Sequence, residues 1–343
     1  MNRLILVLRD LYPARLEREA LARLPRLPSL EQWLARADAL PAPGGWRTWL
    51  WREFALPTAL AGDPALPAAV AAAAVPRLPA GKPLWLATPV HFVAGLDTVR
   101  LHPAGLVELD EEAQRALAAD FGRVFDGAGY TLHATGRREM LLAGGAPAAS
   151  GGPRNDDPAM WLGADPRGGL PTGANAAALR RLGAEMEMWL HEHPVNLARS
   201  ARGQLPANAL WLWGGGAPAV ISAVRAAPAA LAWTEDLYID GLARLRAAAV
   251  TARPGSWPEG GASAAPAGEL LVDCGLGAAS GAEGLRALER EWIAPALAQW
   301  QGGRWDRAIL LAGERAITLQ GSRWRHRWRR WRRVRPWWEW LLR

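Results

Sequence analysis

Cysteine occurs once in these 343 residues, as Cys274, so no intrachain disulfide and no thiolate metal cluster can form. Histidine is almost as scarce. The six are His91, His102, His133, His191, His193 and His326, and none falls between residues 194 and 325. A nitrogen-ligated metal site built on strand ends in that stretch is excluded. No apolar run is long enough to span a bilayer, and Leu4–Leu8 is too short for a signal peptide, which predicts a soluble, cytoplasmic chain. A P-loop, a Gly-x-Gly-x-x-Gly turn and a Gly-x-Ser-x-Gly nucleophile elbow are all missing.

What is present is an ordinary globular balance, half hydrophobic and 21% charged, in a length that suits two modest domains. The net charge of +7 is unevenly spread. Residues 322–343 hold nine arginines and one glutamate, +8 in all, and the remaining 31 basic and 32 acidic groups sum to −1. An argument about acidic partners therefore concerns that segment.

The opening pattern is a strand at Leu4–Leu8 ending at Asp10, then helices, the second starting at Ser29 as N-cap. An Ala- and Pro-rich connection follows from Leu56 to Pro83, with a helical stretch at Ala68–Ala74. Strands at Leu84–Thr88, Thr98–Leu101, Tyr130–Ala134 and Glu139–Leu142 surround a helix at Leu109–Phe125, and another helix spans Ala176–Leu190. The last third alternates strands (Ala209–Trp213, Val220–Val224, Glu269–Val272, Arg307–Leu311) with helices near Leu237–Ala249 and Leu285–Gln299. This pattern predicts an α/β protein: a mostly parallel sheet flanked by helices, formed by 1–81 and 196–321, with an inserted smaller α+β domain at 82–195.

Ligands of parallel sheets gather at the carboxyl ends of the strands. Asp10, Asp273 and Glu314 sit at such ends and supply oxygen ligands for one divalent cation, unless they are simply acids where strands emerge into solvent. His191 and His193 close a helix, so their side chains diverge by about 200° and make a poor ligand pair. Gly214-Gly215-Gly216 after a strand is either an anion cradle or a tight turn. In the C-terminal segment Trp324, Trp328 and Trp331 fall within a roughly 60° helical arc among Arg323, Arg327 and Arg332. Three uses stay open for it: packing on the body, lying at an anionic inner-membrane surface, or contacting nucleic acid. The 14 tryptophans outside this segment belong mostly in the core.

His193-Pro194-Val195-Asn196, Arg199, Arg202-Gly203 and Leu205-Pro206-Ala207-Asn208-Ala209-Leu210-Trp211-Leu212-Trp213-Gly214-Gly215-Gly216 resemble a segment of the archaeal-type, cofactor-independent phosphoglycerate mutases of the alkaline phosphatase superfamily. Trp85-Leu86-Ala87-Thr88-Pro89-Val90-His91 and the Arg/Trp-rich end look more like the RpfE-type bacterial regulatory proteins, with Thr88 in place of an Asp. The resemblance implies an alkaline-phosphatase-like sheet and a two-metal site with a Ser/Thr nucleophile. Asp10 matches the first metal ligand, and Thr48 in Gly45-Trp46-Arg47-Thr48-Trp49 offers the one hydroxyl near the nucleophile position. The departures point away from catalysis. Glu314-Arg315 stands where Asp-His is expected, and Gly-Leu-Gly-Ala-Ala-Ser-Gly follows Cys274.

A non-catalytic relative with a regulatory or ligand-binding role is the leading expectation. Asn196, Arg199, Arg202, Asn208, Gly214 and Gly216 are its candidates for holding a small phosphorylated or carboxylated ligand, or else for holding a turn in place. No cofactor is expected under that reading. A manganese or zinc ion enters only with the alternative, a mutase or phosphohydrolase using Asp10 with Asp273 or Glu314.

Overall fold

The computed structural model describes residues 2–12, 18–54, 63, 65–95, 98–145, 156–173, 176–216, 221, 226–227, 229–258, 268–275, 281–321 and 334–342. In chain order the elements are β1 (Arg3–Leu8), α1 (Arg18–Ala22), α2 (Pro28–Arg36), β2 (Asp38–Pro41), α3 (Gly45–Glu53) and α4 (Leu66–Ala72). Next come β3 (Leu84–Ala94), β4 (Val99–Leu106), α5 (Glu111–Val124), β5 (Tyr130–His133), β6 (Met140–Gly144), α6 (Ala176–His191), α7 (Pro194–Ala201) and β7 (Ala209–Trp213). The last are β8 (Ala230–Trp233), α8 (Leu237–Leu245), β9 (Ala249–Thr251), β10 (Glu269–Asp273), α9 (Ala282–Leu288), α10 (Ala294–Gly302), β11 (Arg307–Ala312), β12 (Arg315–Gln320) and α11 (Trp337–Leu341). They divide into two compact units, one of residues 1–58, 225–235 and 246–343, the other of residues 59–224 and 236–245.

The first unit is α/β, built on a seven-stranded sheet ordered β2-β12-β11-β1-β10-β8-β9. From β11 to β9 every neighbouring pair is parallel, while β12 is antiparallel to both β11 and β2. β1 lies in the middle, and its Leu4 to Leu8 are all buried because both faces are covered. Leu4, Leu6 and Leu8 point into a core shared with Leu30 and Trp33 of α2, Leu285 of α9 and Leu297 of α10. Eleven of the 14 tryptophans outside the C-terminal segment are buried, as their number demanded.

The N-terminus of α2 is served by a distant side chain. Ser29 does not cap α2. Leu27 holds the cap position, and the Glu289 carboxylate accepts from the N–H groups of Ser29 and Leu30. A carboxylate there also complements the positive end of the helix dipole. Between α9 and α10 lies a π-turn, Glu289–Ile293, in which the Ala294 N–H reaches back five residues to the Glu289 carbonyl. Pro295 has no N–H for the Glu291 carbonyl four residues earlier, and the N–H of Trp257 donates to it at 3.0 Å instead.

Within the C-terminal segment Trp337–Leu341 form a short helix with Pro336 at its cap position. Trp337 is buried against α2, with its Nε1 donating to the Pro25 carbonyl at 3.0 Å. Trp338 and Trp340 pack on the same core.

The second unit carries a five-stranded antiparallel sheet, β4-β3-β6-β5 with β7 on the other side of β3. Here lies the main correction to the expected organisation. β7 was expected in the large sheet, but it pairs with Leu86–Val90 of β3, so residues 196–224 belong to this unit. A strand buried on both faces has the same apolar composition in either sheet. The expected helix Leu237–Ala249 is likewise shorter and gives way to β9, and Val220–Val224 lies almost wholly outside the described residues. No described helix is long and apolar enough to cross a membrane.

Burial pushes the pKa values of His102, His133 and His193, all in the second unit, below the ordinary histidine range. Such groups hold the neutral form more strongly when folded, so the unfolded chain takes up the protons first as the pH falls. Their contribution is complete above the unfolded pKa near 6.5 and is lost as pH drops below it. Urea unfolding of the second unit should therefore show a falling midpoint between pH 7.5 and 5.5, with a shallower fall in His133→Phe. A midpoint that stays flat or rises on acidification contradicts this.

Candidate functional site

At the carboxyl edge of the first unit's sheet, β8, β10 and β1 end side by side. β1 continues past Leu8 into Arg9 and Asp10, and β10 finishes on Asp273. Asp273 has no exposed surface, and Arg9 and Asp10 are buried with it. Arg9 lies against both carboxylates. Its Nε is 3.3 Å from Asp273 Oδ1 and 3.6 Å from Asp10 Oδ2.

Backbone donors fix Asp273 from its other sides. The Gly275 N–H donates to Oδ1 at 3.0 Å and the Glu235 N–H to Oδ2 at 3.1 Å, with the Thr234 hydroxyl 3.5 Å from Oδ2. Bonds of this charge-assisted kind hold a carboxylate in one orientation. Gly275 also makes room for the arginine, since a Cβ there would come within 2.1 Å of Arg9 Nε. Cys274 between them is fully buried, and burial above all pushes its thiol pKa up, against a weaker opposing pull from the Arg253 and Arg9 charges. It is a core thiol, tied to β1 by its N–H donating to the Val7 carbonyl at 2.8 Å.

A guanidinium held by two strand-end carboxylates supplies one of the two positive charges that a divalent cation would bring. It is a permanent charge, since arginine is not deprotonated in proteins. A dication on Asp10 and Asp273 would have to share that space with a buried cation of its own sign. These residues therefore do not fit the two-metal site that the family resemblance implies. Among the described residues no three His, Cys, Asp or Glu side chains come together as a metal-ligand group.

Glu314 does not join the carboxylates. The chain reverses in a two-residue turn, Gly313 (φ +53°) and Glu314, so Glu314 is exposed and Arg315 opens β12. The fixed charge beside Asp10 belongs to Arg9. Thr48 lies in the first turn of α3, where its hydroxyl donates to the Gly44 carbonyl at 3.0 Å.

Three of the candidate ligand residues of the second unit, Asn196, Arg199 and Asn208, use their side chains on backbone groups. Asn196, at the start of α7, donates to the carbonyls of Leu190 (2.7 Å) and Ala207 (2.8 Å) and accepts from the Ala207 N–H (2.9 Å). Asn208 bonds both the N–H and the C=O of Phe92 at 2.8 Å. Arg199 donates to the carbonyls of Leu205 (2.9 Å) and Glu108 (3.1 Å), while Arg202 is exposed at the end of α7. Gly214 has φ +63° with Pro67 beside it, and Gly216 has φ +119° and donates its N–H to Leu84. His193 caps α7 and faces Asp120 at 3.6 Å. Arg323, Trp324, Arg327, Trp328, Trp331 and Arg332 lie outside the described residues.

Sequence reasoning singled out Asp10 and Asp273 as metal candidates and did not single out Arg9 or Gly275, which the structure places beside them. The available signal was a charged residue directly after five buried apolar ones, at the point where a central strand ends.

No family model matches the chain, and no curated protein matches it. Among solved structures it is similar to a cofactor-independent phosphoglycerate mutase from Thermoplasma acidophilum, with 15% identity and a TM-score of 0.36, over 93% of this chain and 90% of that one. It is also similar to the PH0037 protein from Pyrococcus horikoshii, with 12% identity and a TM-score of 0.45, over 93% of this chain and 87% of that one.

Gly275→Ala should displace the Arg9 guanidinium and lower stability by about 3 kcal/mol or more, the scale of breaking a buried ion pair. Gly255→Ala, where an added Cβ meets nothing within 4 Å, should stay within about 0.5 kcal/mol of the parent. Urea midpoints compare the two, and equal midpoints would refute the packing argument.

Proposed function

We propose that the chain is a phosphoglycerate-mutase-like protein of alkaline-phosphatase-like fold that acts by binding rather than by catalysis, in a regulatory or ligand-sensing role. The observation that supports this reading is the Arg9 guanidinium paired with both Asp10 and Asp273, the two acids best placed to hold a metal ion. A small phosphorylated or carboxylated ligand is the class that the family resemblance suggests, with the exposed Arg202 as a candidate contact. The metal-dependent mutase or phosphohydrolase reading would require Arg9 to leave.

Thermal unfolding with manganese and 3-phosphoglycerate, separately and together, tests this. The parent protein should show no manganese-dependent shift and no turnover, whereas Arg9→Ala should be stabilised by manganese, by roughly 2–3 kcal/mol at a hundredfold excess over Kd. Metal-dependent turnover by the parent, lost in Asp10→Asn, would overturn the proposal in favour of the enzyme.

A second reading is favoured by the charge of +8 within residues 322–343. It has the Arg/Trp segment binding an anionic membrane surface or nucleic acid. Replacing Arg323, Arg327 and Arg332 together with Ser, rather than deleting a segment whose Trp337 is core, should weaken binding to anionic vesicles or single-stranded DNA and flatten its salt dependence. Parent protein that binds neither would remove this reading.

A further inference from the structure

The opposite edge of the first unit's sheet, where the strands begin, holds a cluster with a different character. Arg3 of β1 is in register with Glu269 of β10 on one side and Arg307 of β11 on the other. Two arginines at neighbouring strand starts repel unless a carboxylate joins them. Glu53, the last residue of α3, does so: its Oε1 accepts from Arg3 Nη1 at 2.5 Å and from Arg307 Nη1 at 2.8 Å. Glu269 in turn accepts from Arg3 Nε at 3.0 Å and from Arg246 Nη1 at 2.6 Å. Arg246 is stacked on the Phe54 ring at 3.6 Å.

The result is an alternating chain, Arg246, Glu269, Arg3, Glu53, Arg307, with an arginine at each end and one positive charge in excess. Arg246 is buried, and the Nε atoms of Arg246 and Arg307 are buried with no hydrogen-bond partner among the described residues. Beside this chain opens a pocket of about 390 Å³. Arg3, Glu269 and Arg307 line it on one side, and Ala229, Ala230 and Gly268 give it small apolar walls.

We propose that this pocket binds a small monocarboxylate, with the carboxylate on the Arg307 donors that Glu53 leaves unused and a short apolar body against the alanines. One excess charge matches a monoanion. A phosphate dianion would leave net negative charge beside Glu53 and Glu269. Arginine suits the role because its planar fork serves two carboxylates at once. The proposal is independent of the reading of Arg9 at the other edge, and the failure of either leaves the other standing.

Propionate is the probe, with chloride at matched ionic strength and the neutral isostere propionamide as controls. Saturation-transfer NMR and thermal unfolding of the full chain should both show saturable propionate binding that propionamide does not reproduce. Arg307→Gln removes the donor, and Ala229→Leu fills the exposed mouth without touching any charge. Each should raise the Kd at least about tenfold. Propionamide binding as well as propionate, no saturable binding to the parent, or unchanged Kd in Ala229→Leu would overturn the proposal.

Discussion

The pairing of one buried guanidinium with two buried carboxylates is the constraint around which the carboxyl edge of the large sheet is arranged. Desolvating Arg9, Asp10 and Asp273 is expensive, and the arrangement is tolerable only because opposite charges meet and the remaining lone pairs find donors. The backbone around them answers to that need. Gly275 stays without a side chain, and the N–H groups of Gly275 and Glu235 turn toward Asp273. Cys274 is left to face the core. The edge where an α/β sheet ordinarily gathers its ligands thus already holds a cation of its own between its acids.

The two edges of this sheet solve the same electrostatic problem with different surpluses. At the carboxyl edge one arginine meets two acids; at the amino edge three arginines meet two acids. In both places charged residues directly follow or precede apolar strand cores, where the chain passes from a dry interior toward solvent. Arginine is used throughout, and its fork lets Arg3 span two carboxylates of different elements.

Much of the sheet was legible because its central strands are apolar on both faces. Leu4–Leu8, Leu270–Val272 and Ile309–Leu311 carry the signal in their composition. The edge strands were not. β2 is exposed at every residue, and β12, Arg-Ala-Ile-Thr-Leu-Gln, lies just past a two-residue turn that in sequence looks like a strand's exit. The composition of β7 marks it as a strand but not as a partner of β3, because pairing is a tertiary choice that a short buried strand does not announce. Asp10 and Asp273 were readable from position alone. Arg9 was not, since its partner Asp273 is 264 residues away in sequence, and only the β1–β10 register brings them together.

That same register has a consequence for how the protein is made. β1 leaves the ribosome more than 250 residues before its partners β10 and β11, which start at residues 269 and 307. Until those have been synthesised, Leu4–Leu8 has no sheet to enter. Such distant pairings fold slowly and leave apolar segments waiting. The second unit, by contrast, closes its sheet within residues 84–213. During synthesis one sheet can form from contiguous chain while the strand destined for the centre of the other remains an unpaired apolar segment, a natural client for a holding chaperone.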